Sequence, residues 1–325
     1  MLREFATTLC LTLLAAPVRA DVTRAVETLA LPGYEAFAGA ADELARTTSE
    51  TCDRSRLARA YQQAFDRWMA VSHLRLGPVE DEGRYLAIAF WPDVKGNGQR
   101  TVAALVAAAD PAMTQPDRFA TISVAARGLF GLERLIYAEQ DGAYVCALTA
   151  AAAADLAQTA RAVAQDWQKG FAAALKTAGE SGNSLFLTAD EAKQAMFTQL
   201  MTGLEFTADQ RLGRPLGTFD KPRPERAEAR LSERSQRNVV LSLQALKDLA
   251  LALARNTPKT SAAFDRAISQ AAALDDPVLA GVADPQKRLK IEILQQSVRA
   301  AREAALAEIG PDLGVGIGFN SADGD

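Results

Sequence analysis

One carboxylate of the sequence stands among apolar residues: Glu133, in Gly128-Leu129-Phe130-Gly131-Leu132-Glu133-Arg134-Leu135-Ile136. On a helix, Leu129 and Ile136 would share its face. A carboxylate so placed must find a partner or shift its pKa, and an arginine is the expected partner. Arg226, Arg230, Arg234 and Arg237 recur every three or four residues, behind Lys221 and Arg223. Read as a helix, they line one face. With Glu225, Glu228 and Glu233 interleaved, that face is either a solvated, salt-bridged surface or a guanidinium row gripping carboxylates or an anionic ligand.

His73 is the single histidine of the chain. One imidazole leaves no His-rich zinc site and no His-Glu-x-x-His helix. The residue three before it is Ala70, so a Glu-x-x-His di-iron ligand pair is absent too. His73 falls near the end of a long predicted helix, where a protonated ring would suit the helix dipole, and it is read first as a structural or surface histidine. Gly314-Val315-Gly316-Ile317-Gly318 follows a helix and does not open one, so it is not read as a phosphate loop. Asp323-Gly324-Asp325 is not read as a calcium loop.

The elements that must position these groups are helices. Alanine makes up roughly a fifth of the chain and aromatics only 6%, a helix former's profile. Apolar periodicity predicts helices over 22–31, 34–45, 54–76, 117–137, 144–178, 188–211, 224–255, 259–274 and 285–309. A break is expected at Leu31-Pro32-Gly33. Segments 77–100, 212–224 and 310–325 are expected to be irregular, and long loops are where binding groups usually sit. Gly179-Glu180-Ser181-Gly182 marks a boundary. The fold class predicted is all-α, with two bundle-like halves over 21–180 and 181–325. Gly131-Leu132-Glu133 and Gly203-Leu204-Glu205 hint at a pseudo-repeat between them.

The chain has 325 residues, 49% hydrophobic, with a formal charge of −4. That balance argues against a nucleic-acid binder. Arg3, the apolar run from Phe5 to Ala16 and Val18-Arg19-Ala20 read as a signal peptide over 1–20, cleaved before Asp21. No later stretch is apolar enough to insert in a membrane. Export leaves Cys52 and Cys146, and an oxidising compartment favours a disulfide between them.

Phe90-Trp91-Pro92-Asp93, the Gly128–Glu133 segment, Lys221-Pro222-Arg223-Pro224 with Ala227-Glu228, Ser232, Ser235 and Asn238, and Gly318-Phe319-Asn320 together resemble the imelysin family. The resemblance spans nearly all of the chain after the signal peptide. It implies an exported, periplasmic, all-α protein of two halves. It implies either a metallopeptidase or a component of bacterial iron acquisition, with iron or another divalent cation as the metal. The family signature, Gly-x-His-x-x-Glu, is proposed to bind metal through His and Glu. Here Glu133 keeps its position as the metal residue and Phe130 stands in the histidine position, which speaks against peptidase activity. The expectation is a non-catalytic protein that binds a ligand, metal or partner between its halves. The site is expected to comprise Trp91, Asp93, Arg127 and Glu133, with Arg223 and Arg234 facing Glu133. A metal-dependent peptidase and a scaffold for a membrane transporter are the alternatives.

Overall fold

The computed structural model describes residues 22–137, 141–254 and 256–313. The predicted signal peptide, the glycine run 314–318 and Asp323-Gly324-Asp325 lie outside the described residues. Among these residues there is no strand, only an isolated bridge between Thr218 and Lys221. The helices are α1 Val22–Ala25, α2 Leu31–Glu50, α3 Arg54–Val71, α4 Arg84–Ile88, α5 Asn97–Ala108, α6 Pro116–Phe119 and α7 Gly128–Tyr137. They continue as α8 Ala143–Asp166, α9 Ala172–Lys176, α10 Ala189–Glu205, α11 Gly213–Leu216, α12 Ser235–Leu253, α13 Pro258–Ala272 and α14 Pro285–Ile309. The all-α expectation holds.

The helices differ from the periodicity reading where local chemistry intervenes. No break occurs at 31–33. A π-helical turn, Val26–Ala30, leads straight into α2, and Pro32 falls in its first turn, where a missing N–H is tolerated. Gly33 lets α3 approach, since a Cβ there would lie 2.4 Å from Val71 Cγ1. The helix expected over 54–76 stops at Val71. Segment 77–100 is not one loop: it folds into 3-10 turns at Gly77–Val79 and Asp81–Gly83, then α4, an extended stretch and the start of α5.

The largest departure is at 224–234. Pro224–Arg226 is a 3-10 turn, and helix α12 starts only at Ser235. Ala229 and Glu233 between them have positive φ, 47° and 57°. Arg226, Arg230 and Arg234 therefore do not line one helical face. Serine side chains compete with helical hydrogen bonding here. Ser235 Oγ donates to the Glu228 carbonyl at 2.6 Å, and Ser232 Oγ contacts the Ala229 carbonyl at 3.2 Å.

Helix α2 packs between α3 and α8, and α7 lies against α3 and α8. Helices α10, α12, α13 and α14 pack on one another, and α12 reaches α3 and α1. One apolar core runs through them all. Its aromatic centre includes Tyr34 stacked on Trp167 at 5.3 Å and Phe37 tilted against Trp68 at 5.2 Å between centroids. Cys52, just before α3, is bridged to Cys146 in α8, with Cα atoms 5.6 Å apart, as expected.

Candidate functional site

The site begins with two glycines. Gly128 opens α7 at φ 61°, and a Cβ there would lie 2.2 Å from the carbonyl oxygens of Ala87 and Ile88. At Gly131 a Cβ would lie 2.0 Å from the Ala126 carbonyl oxygen. Only backbone fits at either place, so α7 starts hard against the end of α4 and the preceding turn. That seating turns Glu133 inward, where it is 4% exposed.

Glu133 is held by a backbone segment rather than by an arginine. Its Oε1 accepts from Ser232 N at 2.9 Å and from Ser232 Oγ at 2.6 Å. Among the described residues no donor reaches Oε2 within hydrogen-bonding distance. Burial raises the pKa above the ordinary carboxylate value, and Glu228 adds to it; the Ser232 bonds and Arg134 oppose the rise. Phe130 stands one turn earlier, edge-on to Phe65 with centroids 5.7 Å apart.

In front of Glu133 opens a pocket of about 490 Å³. Trp91, Phe130 and Glu133 line it together with Arg214 and residues of the 225–231 segment. Trp91 meets Phe206 edge-on at 5.8 Å. Asp93 also lines the pocket, with its oxygens engaged: Oδ1 accepts from Asn97 N and Oδ2 from Gly98 N, both at 2.8 Å. Arg134 adds an ion pair to Asp93 at 3.8 Å.

The structure thus brings Trp91, Asp93 and Glu133 together. The other three expected site residues sit elsewhere. Arg127 grips Asp155 of α8 through two bonds of 2.8 and 2.7 Å. Arg223 pairs with Glu225 at 3.7 Å. Arg234 is wholly buried and does not meet Glu133. Its Nη2 donates to Asp66 at 2.7 Å, its Nη1 to Gln62, and its Nε to Asn238 at 3.2 Å, with the Phe65 ring 4.6 Å below.

Gln62 connects this arginine to the site, donating to the Ser232 carbonyl at 3.0 Å and to Tyr137 Oη at 2.9 Å. From Asn238 the network runs to Glu228 Oε2 at 3.1 Å, which also accepts from Arg211 at 2.8 Å. Gln62, Asp66, Arg211 and Arg214 carried no sequence signal. They are ordinary polar residues on helices until the fold brings them to the network and the pocket, with Arg211 buried and the other three partly exposed.

A second pocket, of about 480 Å³, adjoins His73, Tyr85 and Phe206. His73 is buried, and neither ring nitrogen has a hydrogen-bond partner among the described residues. Burial first, and then the charge of Arg211, lower its pKa to about 3. The ring is neutral, not the helix-end cation that its sequence position suggested.

The residues around Glu133 do not fit a resident metal. Phe130 offers no ligand atom, and Asp93 is committed to two N–H groups. Among the described residues no group of three His, Cys, Asp or Glu side chains is placed to hold an ion, whereas a protein-bound catalytic zinc uses three ligands.

Two solved structures share this fold. An imelysin-like protein from Psychrobacter arcticus superposes with a TM-score of 0.77 at 20% identity, covering 93% of this chain and all of that one. A structure from Parabacteroides distasonis, described as a candidate iron-regulated protein A precursor, gives 0.72 at 10% identity, covering 89% and 94%. No curated protein matches the chain significantly. The sequence pattern of the imelysin family matches residues 30–305, a span that takes in Trp91, Glu133, Ser232 and every helix from α2 to α13. The chain belongs to the imelysin family.

Proposed function

We propose that this is an exported, periplasmic ligand-binding protein of bacterial iron acquisition, which seats its ligand in the Glu133 pocket and does not cleave peptides. The observation that carries the reading is the pocket itself. Its lining residues come from 91–134 and from 214–231, stretches that fall before and after residue 180 in the sequence. It contains a buried carboxylate with one oxygen uncommitted among the described residues. Phe130 in place of the signature histidine supports a binding role over a hydrolytic one. The Cys52–Cys146 disulfide supports an oxidising compartment, and no described helix is long and apolar enough to cross a membrane. The link to iron comes from the family and from the description of the Parabacteroides relative.

The test is complementation of a deletion strain under iron limitation, beside a peptide-cleavage assay of the mature protein supplied with Zn(II) or Fe(II). Gln99→Trp places a large ring at an exposed lining position of the pocket. The wild-type gene is expected to restore growth and Gln99→Trp to fail, with no cleavage in either protein. Cleavage would make the protein a peptidase. Full rescue by the filled pocket would turn the reading towards a scaffold for a membrane transporter.

A further inference from the structure

The charges around the Glu133 pocket are unevenly committed. Its carboxylates have partners: Asp93 is engaged by two backbone N–H groups and Arg134, and Glu225 is paired with Arg223. Glu133 has one oxygen saturated by Ser232. Arg214, Arg226 and Arg230 also line the pocket, and among the described residues none of the three side chains has an ion pair or a hydrogen bond. The Nε of Arg214 is buried with no acceptor. Burial, and after it the charge of Arg226, push Arg214 below the ordinary guanidinium pKa, the mark of a cation lacking a counter-charge.

The neighbouring pocket shows the contrast. There Arg75 pairs with Glu80, Glu205 with Arg302, Asp209 with Arg299 and Arg211 with Glu228. Of the two pockets, cations converge unpaired only on the one at Glu133.

The backbone that carries these arginines is fastened to the site. Arg226 and Arg230 ride on the turn between Pro224 and Ser235, whose Ser232 is fastened to Glu133. Arg214 belongs to α11, which follows the π-helical segment Phe206–Leu212. A guanidinium presents its donors as a planar fork that matches two oxygens of a carboxylate or phosphate. Three such forks around a cavity of about 490 Å³ suit a small molecule with several oxyanion groups, and the Trp91 ring supplies an apolar wall beside them.

We infer that the pocket takes a polyanionic small molecule carrying two or more carboxylate or phosphate groups, held by Arg214, Arg226 and Arg230. This rests on the Glu133 pocket being the ligand site and names the class of ligand it accepts.

The experiment is calorimetric titration of the mature chain with citrate, inorganic phosphate and acetate at low and high salt. Citrate and phosphate are expected to bind, with citrate at least tenfold tighter than acetate and weakened by added salt. The double variant Arg226→Ala/Arg230→Ala changes two exposed side chains that hold nothing in the fold. It is expected to keep the wild-type melting temperature and lose at least tenfold in citrate affinity. Arg214→Lys keeps the charge without the fork and is expected to lose part of that affinity. Absence of citrate and phosphate binding, or equal binding by the double variant and wild type, overturns the inference.

The two readings fail separately. If Gln99→Trp abolishes rescue but no anion binds, the pocket stands and its ligand class falls. If Gln99→Trp rescues fully while the arginine-dependent citrate binding persists, the anion site stands and its role in iron acquisition falls.

Discussion

Glu133 fastens one part of the fold to another, and its substitution separates that role from its charge. Glu133→Ala leaves the buried Ser232 N–H without its acceptor, while the hydroxyl keeps the Ala229 carbonyl, and the expected cost is about 1–3 kcal/mol. Glu133→Gln can keep an acceptor oxygen towards Ser232 and is expected to cost less than about 1 kcal/mol. Urea melts of both variants check this, and equal losses would show that the charge matters and the fastening does not. That Glu133 needs a partner was legible in the sequence, because an acid flanked at helical spacing by leucine and isoleucine is costly to bury alone. The identity of the partner was not. Arginine was the chemical expectation, yet the acceptor is met by a serine 99 residues away, and Arg234 is spent on Asp66, Gln62 and Asn238.

At the scale of elements, glycine decides where α7 can sit. Gly131→Ala would drive a methyl group into the Ala126 carbonyl, and the expected loss is about 1–3 kcal/mol. Gly39, exposed on α2, is the opposite case: a Cβ added there would meet nothing within 4 Å. Gly39→Ala is therefore expected to stabilise by about 0.5–1 kcal/mol through helix propensity. Thermal melts of the two alanine variants should move in opposite directions. Long helices were readable from apolar spacing, and α14 matches its expected bounds at both ends. The 224–234 turn defeats such a reading because its arginines repeat at helical intervals. Spacing reports a face only where the backbone is helical, and here serine-to-carbonyl bonds and two residues of positive φ replace the helix.

For the molecule as a whole, His73 gives acid pH a specific handle on stability. Its folded pKa is about 3, against about 6.5 for an unfolded chain. Between those values the unfolded state takes up a proton that the folded state refuses. Stability therefore falls as pH drops from about 6.5 towards 3, by up to about 1.4 kcal/mol per pH unit from this group. Above that window His73 contributes no slope. Since it is the single histidine, His73→Gln should flatten the stability profile between about pH 6.5 and 4, while the carboxylates titrate alike in both proteins. Parallel curves would show that the ring is protonated in the folded protein.

What the sequence determined by itself is what short-range physics controls. Apolar periodicity and alanine content dictated an all-α chain, and two cysteines beyond the N-terminal apolar run pointed to their pairing. An acid on an apolar helix face marked Glu133 as a residue with a task. The tertiary structure decided everything that depends on which distant segments meet. It alone joined Ser232 to Glu133, spent Arg127, Arg223 and Arg234 on other carboxylates, and left Arg214, Arg226 and Arg230 around the pocket without counter-charges among the described residues. Hydrogen bonds and ion pairs are satisfied by whatever donor or acceptor arrives in range, and that is fixed by how the helices pack.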